Sequence, residues 1–174
     1  FAKETEKLIL EEPTHDSCDL GPLARKDQIP YLEDQVKDAI KKGANYLVKP
    51  RQTPLKGNYF SPLVLIGVDH SMKIMQEESF GPVIGIQKVS NDHEAIKLME
   101  DSQYGLTASV HSNDRARATQ ILSQLKVGTA YWNTCDRVST RLAWSGQKLS
   151  GMGVTLSHLG IKTFLRPKAW HLQS

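Results

Sequence analysis

The sequence predicts an α/β fold, a mainly parallel sheet flanked by helices, and three observations predict it. Residues 62–66, Pro-Leu-Val-Leu-Ile, form a continuous apolar run of strand length, which suits a strand buried on both faces. Downstream, strand-like stretches (83–89, 106–111, 127–132) alternate with helix-like ones (92–101, 113–124). Strand, helix, strand at this spacing implies right-handed crossovers between parallel neighbours. The composition is that of a folded chain, with 39% hydrophobic and 24% charged residues in 174. That length suits one domain and buries about two-thirds of the unfolded surface.

The elements follow in order. Residues 1–10 read as the tail of a helix already under way, because a charged turn runs into Leu8-Ile9-Leu10 with no cap before it. The opening Phe1 leaves two expectations, a lost initiator Met or a piece of a longer protein. Residues 11–19, polar and holding Pro13, read as loop. A helix follows, with Asp27 as cap, Pro30 in the first turn, and Ile29, Leu32, Val36, Ala39 and Ile40 on one face. Lys41 and Lys42 complement its C-terminal dipole and Gly43 stops it. Residues 45–48 are a short strand and 49–58, with two prolines and a glycine, a loop. Ser90 or Asn91 caps the helix over 92–101, and Asn113 caps the next, with Ala118, Ile121, Leu122 and Leu125 inward. Residues 133–153 read as a long polar loop, the kind that is usually functional or disordered. Residues 163–172 read as a last extended stretch, confined to an edge by Pro167.

Charge and cysteine usage exclude several classes. A net charge of +3, from 22 basic and 19 acidic residues, comes without a polybasic run, so neither nucleic acid nor a membrane surface is expected as a partner. No apolar run approaches the roughly 20 residues of a membrane span, and no signal peptide is visible. Cys18 and Cys135 form neither a zinc spacing nor a disulfide framework, which favours a reducing compartment and a cytoplasmic setting. The six histidines show no i, i+4 pair, so no metal site is expected.

Three places can carry chemistry. Glu77-Glu78-Ser79-Phe80-Gly81-Pro82 is a turn entering a buried strand. Its carboxylates and ring suit a sugar, hydroxyls to the acid and a face to the ring, although composition alone favours a solvated acidic turn. Asn133 and Cys135 follow a strand's C-terminal end, where open α/β sheets hold ligands. Asn133 lines a pocket or holds the turn, and Cys135, with no base beside it in sequence, reads as structural more than nucleophilic. The 143–153 stretch has glycines but neither a Walker order nor a Rossmann fingerprint.

The order of these segments resembles the aldehyde dehydrogenase superfamily. The resemblance runs through Gly21-Pro22-Leu23, a helix ending Lys42-Gly43-Ala44, Gly57-Asn58-Tyr59-Phe60-Ser61-Pro62, and Glu77-Glu78-Ser79-Phe80-Gly81-Pro82-Val83. It continues through Tyr104-Gly105-Leu106-Thr107-Ala108-Ser109-Val110, Val127-Gly128-Thr129 with Asn133, and Ser145-Gly146-Gln147-Lys148-Leu149-Ser150-Gly151-Met152-Gly153. The usual Pro-Phe-Gly-Gly-x-Lys reads Ala143-Trp144-Ser145-Gly146-Gln147-Lys148, and Val154-Thr155 stands where many members carry Arg-Glu.

The resemblance implies that Glu78 binds the nicotinamide-ribose hydroxyls and Phe80 packs on that ribose. It places Asn133, Val138 and Trp144 along the aldehyde pocket. It implies NAD or NADP as cofactor of the full-length protein, an aldehyde oxidised to the acid through a cysteine thioester, and a chain close to three times this long. The nucleophile, the general base and the dinucleotide-binding half then lie upstream of Phe1, and this chain supplies no catalytic residue of its own. It divides as 1–162, a partial catalytic domain, and 163–174, a strand and tail that close a homo-oligomer through residues 163–172. The alternative is a naturally short, non-catalytic paralogue acting as an assembly or binding module.

Overall fold

The computed structural model describes residues 1–52, 56–135 and 137–173. Residues 53–55 of the expected 49–58 loop, Asp136, and Ser174 of the tail lie outside the described residues. The chain forms two compact units, residues 1–89 and 90–174.

The first unit packs a helix on a three-stranded sheet. Helix α1 (Ala2–Lys7) leads to a single parallel bridge between Leu10 and Leu20. Helix α2 (Gln28–Lys41) buries Leu32, Gln35, Val36 and Ala39, a stripe at helical spacing. Asp27 sits at its N-cap, but the carboxylate takes the Arg25 guanidinium instead of a helix N–H. Gly43, at φ +104°, ends the helix as expected. Strands β1 (Asn45–Val48), β2 (Leu63–Ile66) and β3 (Val83–Ile86) lie in that order, β1 antiparallel and β3 parallel to β2. The central β2 is buried over Leu63, Val64 and Leu65, each at most 2% exposed, which is why its sequence runs apolar without alternation. Leu63 and Leu65 meet Val36 and Ala39 of α2 in one core with Val68, Met72 and Ile74. The short helix α3 (Lys73–Gln76) was not expected; Asp38 of α2 fixes its start by accepting from the Lys73 amide at 2.9 Å.

The second unit is built on a strand–helix–strand crossover. Helix α4 (Asp92–Glu100) is capped by Asn91, which accepts from the Glu94 amide, while Glu94 reaches back to the Ser90 amide. Strands β5 (Thr107–Val110) and β6 (Thr129–Trp132) run parallel with helix α5 (Arg115–Leu122) between them. The α5 cap is Asp114 rather than Asn113. Its carboxylate accepts from the Arg117 amide at 3.0 Å, the better partner for the positive end of a helix. Ala118, Ile121 and Leu125 are buried and Leu122 is half-buried. Arg117 in turn chelates Asp92, Nε to Oδ2 at 2.7 Å and Nη2 to Oδ1 at 2.6 Å, tying α5 to α4.

One further expectation is corrected. The 133–153 stretch is not one open loop: short antiparallel pairs join β4 (Tyr104–Gly105) to β8 (Gln147–Lys148) and β7 (Trp144–Ser145) to β9 (Val154–Thr155). Residues 163–172, expected to pair outside their own chain, join none of its strands among the described residues. After helix α6 (Ser157–Lys162), Thr163 and Phe164 are a turn and 165–173 join no sheet among the described residues. The fold is therefore α/β with mixed sheets, the parallel strand pairs among the described residues being β2–β3 and β5–β6. No helix among the described residues is long and apolar enough to cross a membrane.

Candidate functional site

In the first unit the candidate residues sit on the turn between α3 and β3. That turn rides on one stripe of α2, positions 28, 31, 32 and 35, which helical spacing puts on a common face. The Gln28 carboxamide donates to the Ser79 carbonyl at 2.5 Å. The Tyr31 hydroxyl donates to Glu77 Oε2 at 3.1 Å. Gln35, fully buried, donates from Nε2 to Glu77 Oε2 at 3.3 Å and accepts at Oε1 from the Ser79 hydroxyl at 2.8 Å. At Gly81 an added Cβ would stand 2.3 Å from Leu32 Cδ1, so only glycine lets the turn lie this close to the helix.

The two residues left out of this bracing are the two singled out from sequence. Glu78 is exposed and makes no hydrogen bond or ion pair among the described residues. Phe80 is 76% exposed, with its backbone at φ +46°, a left-handed conformation that is costly for an aromatic residue. A free carboxylate with acceptor capacity and a bare ring two positions apart can together take a polyhydroxylated ring, the acid accepting from hydroxyls and the ring covering an apolar face.

In the second unit the candidates stand differently. Asn133 follows β6 at φ +53° and uses its whole carboxamide on backbone. Its Oδ1 accepts from the Ser112 amide at 2.8 Å, and its Nδ2 donates to the Ser112 carbonyl at 3.0 Å. It thereby extends the β5–β6 ladder one residue past Trp132, whose indole N–H also reaches the Ser112 carbonyl, at 2.9 Å. Val138 is 61% exposed, and Trp144 lies half-buried on β7. Gly128 holds that stretch in place. A Cβ there would come 1.5 Å from the Ser145 carbonyl oxygen, so the Val-Gly-Thr segment admits only glycine. Lys148 anchors the other end, its ammonium on the carbonyls of Glu100 and Ser102 at 3.0 and 3.1 Å, beside the negative end of α4. Cys135 is a free, exposed thiol.

Sequence reasoning missed Gln28, Tyr31, Gln35 and Lys148. The signal for Gln35 was present: it falls on the apolar stripe of Leu32, Val36 and Ala39, where a carboxamide has no reason to be unless it is bonded. A cavity of about 450 Å³ in the first unit is lined by Val36, Tyr46, Tyr59 and Phe60 among others, and none of the candidate residues lines it.

A sequence model of the aldehyde dehydrogenase family matches residues 1–170. The chain belongs to that family. It is 34% identical, over 164 residues, to the succinate semialdehyde dehydrogenase [NAD(P)+] Sad of Escherichia coli, covering 94% of this chain and 36% of that protein. It is 32% identical over 171 residues to the chloroplastic betaine aldehyde dehydrogenase of Atriplex hortensis, covering 97% and 34%. The solved betaine aldehyde dehydrogenase of Staphylococcus aureus in complex with NAD+ superposes with a TM-score of 0.87 at 32% identity, covering 94% of this chain and 33% of that one. The chain thus spans about a third of the length of these aldehyde dehydrogenases.

Proposed function

We propose that this chain is the C-terminal part of an NAD(P)+-dependent aldehyde dehydrogenase that oxidises an aldehyde to its acid through a cysteine thioester. Within it, Glu78 accepts hydrogen bonds from the nicotinamide-ribose hydroxyls and Phe80 covers the ribose. The observation that carries this reading is the pairing on one turn of a free carboxylate and a 76% exposed ring, their neighbours Glu77 and Ser79 being tied to α2. The cofactor, when bound, supplies the hydride acceptor; Glu78 and Phe80 hold and orient its ribose and take no proton. Asn133, Val138 and Trp144 line the aldehyde pocket, Asn133 by fixing the backbone that follows β6.

The chain divides functionally into 1–162, part of the catalytic domain, and 163–174, a strand and tail that assemble a homo-oligomer. The exposure of Phe164 (89%) and Trp170 (71%) supports this, because large apolar side chains left this open call for a covering surface. Both cysteines are free, which fits a reducing compartment, and we place the protein in the cytoplasm.

The chain alone should not hold the cofactor. One charged hydrogen bond and one stacked ring contribute about 1–3 kcal/mol each, against an association cost of about 4–15 kcal/mol. Titration calorimetry of NAD+ into the chain is expected to give no measurable heat of binding; micromolar affinity would overturn the reading. Cys135→Ser is expected to leave reactivity toward aldehydes unchanged, since no base is bonded to that thiol among the described residues.

A further inference from the structure

We infer that Gln35 is the positioning residue of the 77–81 turn: its buried carboxamide turns Glu77 and Ser79 toward α2 and so leaves Glu78 and Phe80 facing outward. The value of this to the enzyme rests on the ribose reading above; the positioning itself does not.

The chemistry selects a carboxamide at this place. Gln35 faces an acceptor on one side, the Glu77 carboxylate, and a donor on the other, the Ser79 hydroxyl. Only a neutral group that both donates and accepts answers the two together, and a glutamine does so with its orientation fixed, nitrogen toward Glu77 and oxygen toward Ser79. The reversed orientation would set two oxygens against each other. Because Gln35 is fully buried, leaving either end unbonded is costly, so the turn is held to it from both sides. The next fixed points are the Ser79 carbonyl, held by Gln28, and Gly81, seated on Leu32. Phe80 lies between them with no slack, which accounts for its left-handed backbone. The Glu77 carboxylate that Gln35 bonds also accepts from the Tyr31 hydroxyl and feels the Lys73 ammonium, whose ion-pair partner is Asp34.

Gln35→Glu is the decisive variant, because protonation restores the missing donor. A buried carboxyl beside the Glu77 carboxylate has its pKa raised, so at about pH 5 it donates to Glu77 and accepts from Ser79 as the native residue does. At about pH 8 it is an anion that repels Glu77. In heteronuclear NMR spectra of the chain, the Phe80 Cα and Cβ shifts report the left-handed backbone. Wild type is expected to keep that signature at both pH values, and Gln35→Glu to keep it at the lower and lose it at the higher, reversibly. Gln35→Glu holding the signature at pH 8 overturns the inference. Ser79→Ala serves where Gln35→Glu does not fold: it deletes the hydroxyl that Gln35 accepts from, and unchanged Glu78 and Phe80 shifts there also overturn it.

In the full-length enzyme, Gln35→Glu is expected to raise the KM for NAD(P)+ about tenfold at pH 8 with kcat within about twofold, and to recover toward pH 6. If Glu78→Gln moves that KM and Gln35→Glu does not, the positioning role is wrong. If the shifts behave as described and Glu78→Gln leaves the KM unmoved, the positioning stands and the ribose reading falls.

Discussion

The turn at 77–81 and the segment that begins at Asn133 solve opposite problems with the same materials. Each holds a non-glycine residue in left-handed backbone, Phe80 at φ +46° and Asn133 at φ +53°. At the turn the bracing comes from elsewhere: Gln28, Tyr31 and Gln35 of α2 hold Glu77 and Ser79, so Glu78 and Phe80 have no structural duty. At Asn133 the candidate residue is itself the brace, both ends of its carboxamide lying on Ser112. The comparison teaches that a family motif can name a residue for two reasons. Glu78 and Phe80 are left exposed to solvent, whereas Asn133 is spent on holding backbone still.

Stability measurements separate the two cases. The largest effect is expected at Gly128, where a Cβ would collide with the Ser145 carbonyl and force the Trp144–Ser145 strand away. Gly128→Ala should cost about 3 kcal/mol or more in urea unfolding. Next, Asn133→Ala removes two hydrogen bonds and leaves in left-handed backbone a residue without the carboxamide that favours it, so it should cost about 2 kcal/mol. Glu78→Gln, by contrast, should leave stability within about 0.5 kcal/mol of wild type. Equal losses at the two sites would erase the distinction drawn here. Phe80→Gly sharpens it from the other side: relief of the left-handed strain should leave the chain as stable or up to about 1 kcal/mol more so, with the ring lost.

The smallest effect lies outside both sites and carries a sign. The Arg117 guanidinium, hydrogen-bonded to Asp92, holds that carboxyl below its ordinary value of about 3.8. A carboxyl whose folded-state pKa is depressed stabilises the fold above its unfolded pKa and loses that contribution as pH falls through the folded value. Wild type should therefore be slightly more stable than Asp92→Asn at pH 7, and the difference should fade below about pH 4. Both side chains are largely solvated, 58% and 40% exposed, so the difference is small.

Much of the fold was legible because its long elements obey local rules. Helix α2 declared itself by the spacing of Leu32, Val36 and Ala39 and by Gly43, and β2 by an apolar run that suits two buried faces. What escaped reading depends on distant partners. Helix α3 has four residues and is fixed by Asp38, thirty-five positions upstream of Lys73. The two-residue strands β4 and β8 exist only because Tyr104 and Lys148 meet. Asp114 and Asn113 are both good caps, and only the geometry of the Arg117 amide decides between them. Residues 163–172 have no partner strand in their own chain among the described residues, so their strand pattern finds nothing to pair with. At the candidate site, Glu78 and Phe80 were read through a family motif, whereas Gln35 was hidden in an otherwise apolar helix face.

The central claim is that Glu78 is kept free of structural work in order to bind the cofactor's ribose. Steady-state kinetics of Glu78→Gln in the full-length enzyme, at saturating aldehyde and with NAD(P)+ varied, tests it most directly. The KM for NAD(P)+ is expected to rise about tenfold or more, as losing hydrogen bonds to a charged acceptor requires, while the urea midpoint stays at the wild-type value. An unchanged KM, or a midpoint that falls along with it, would contradict the claim.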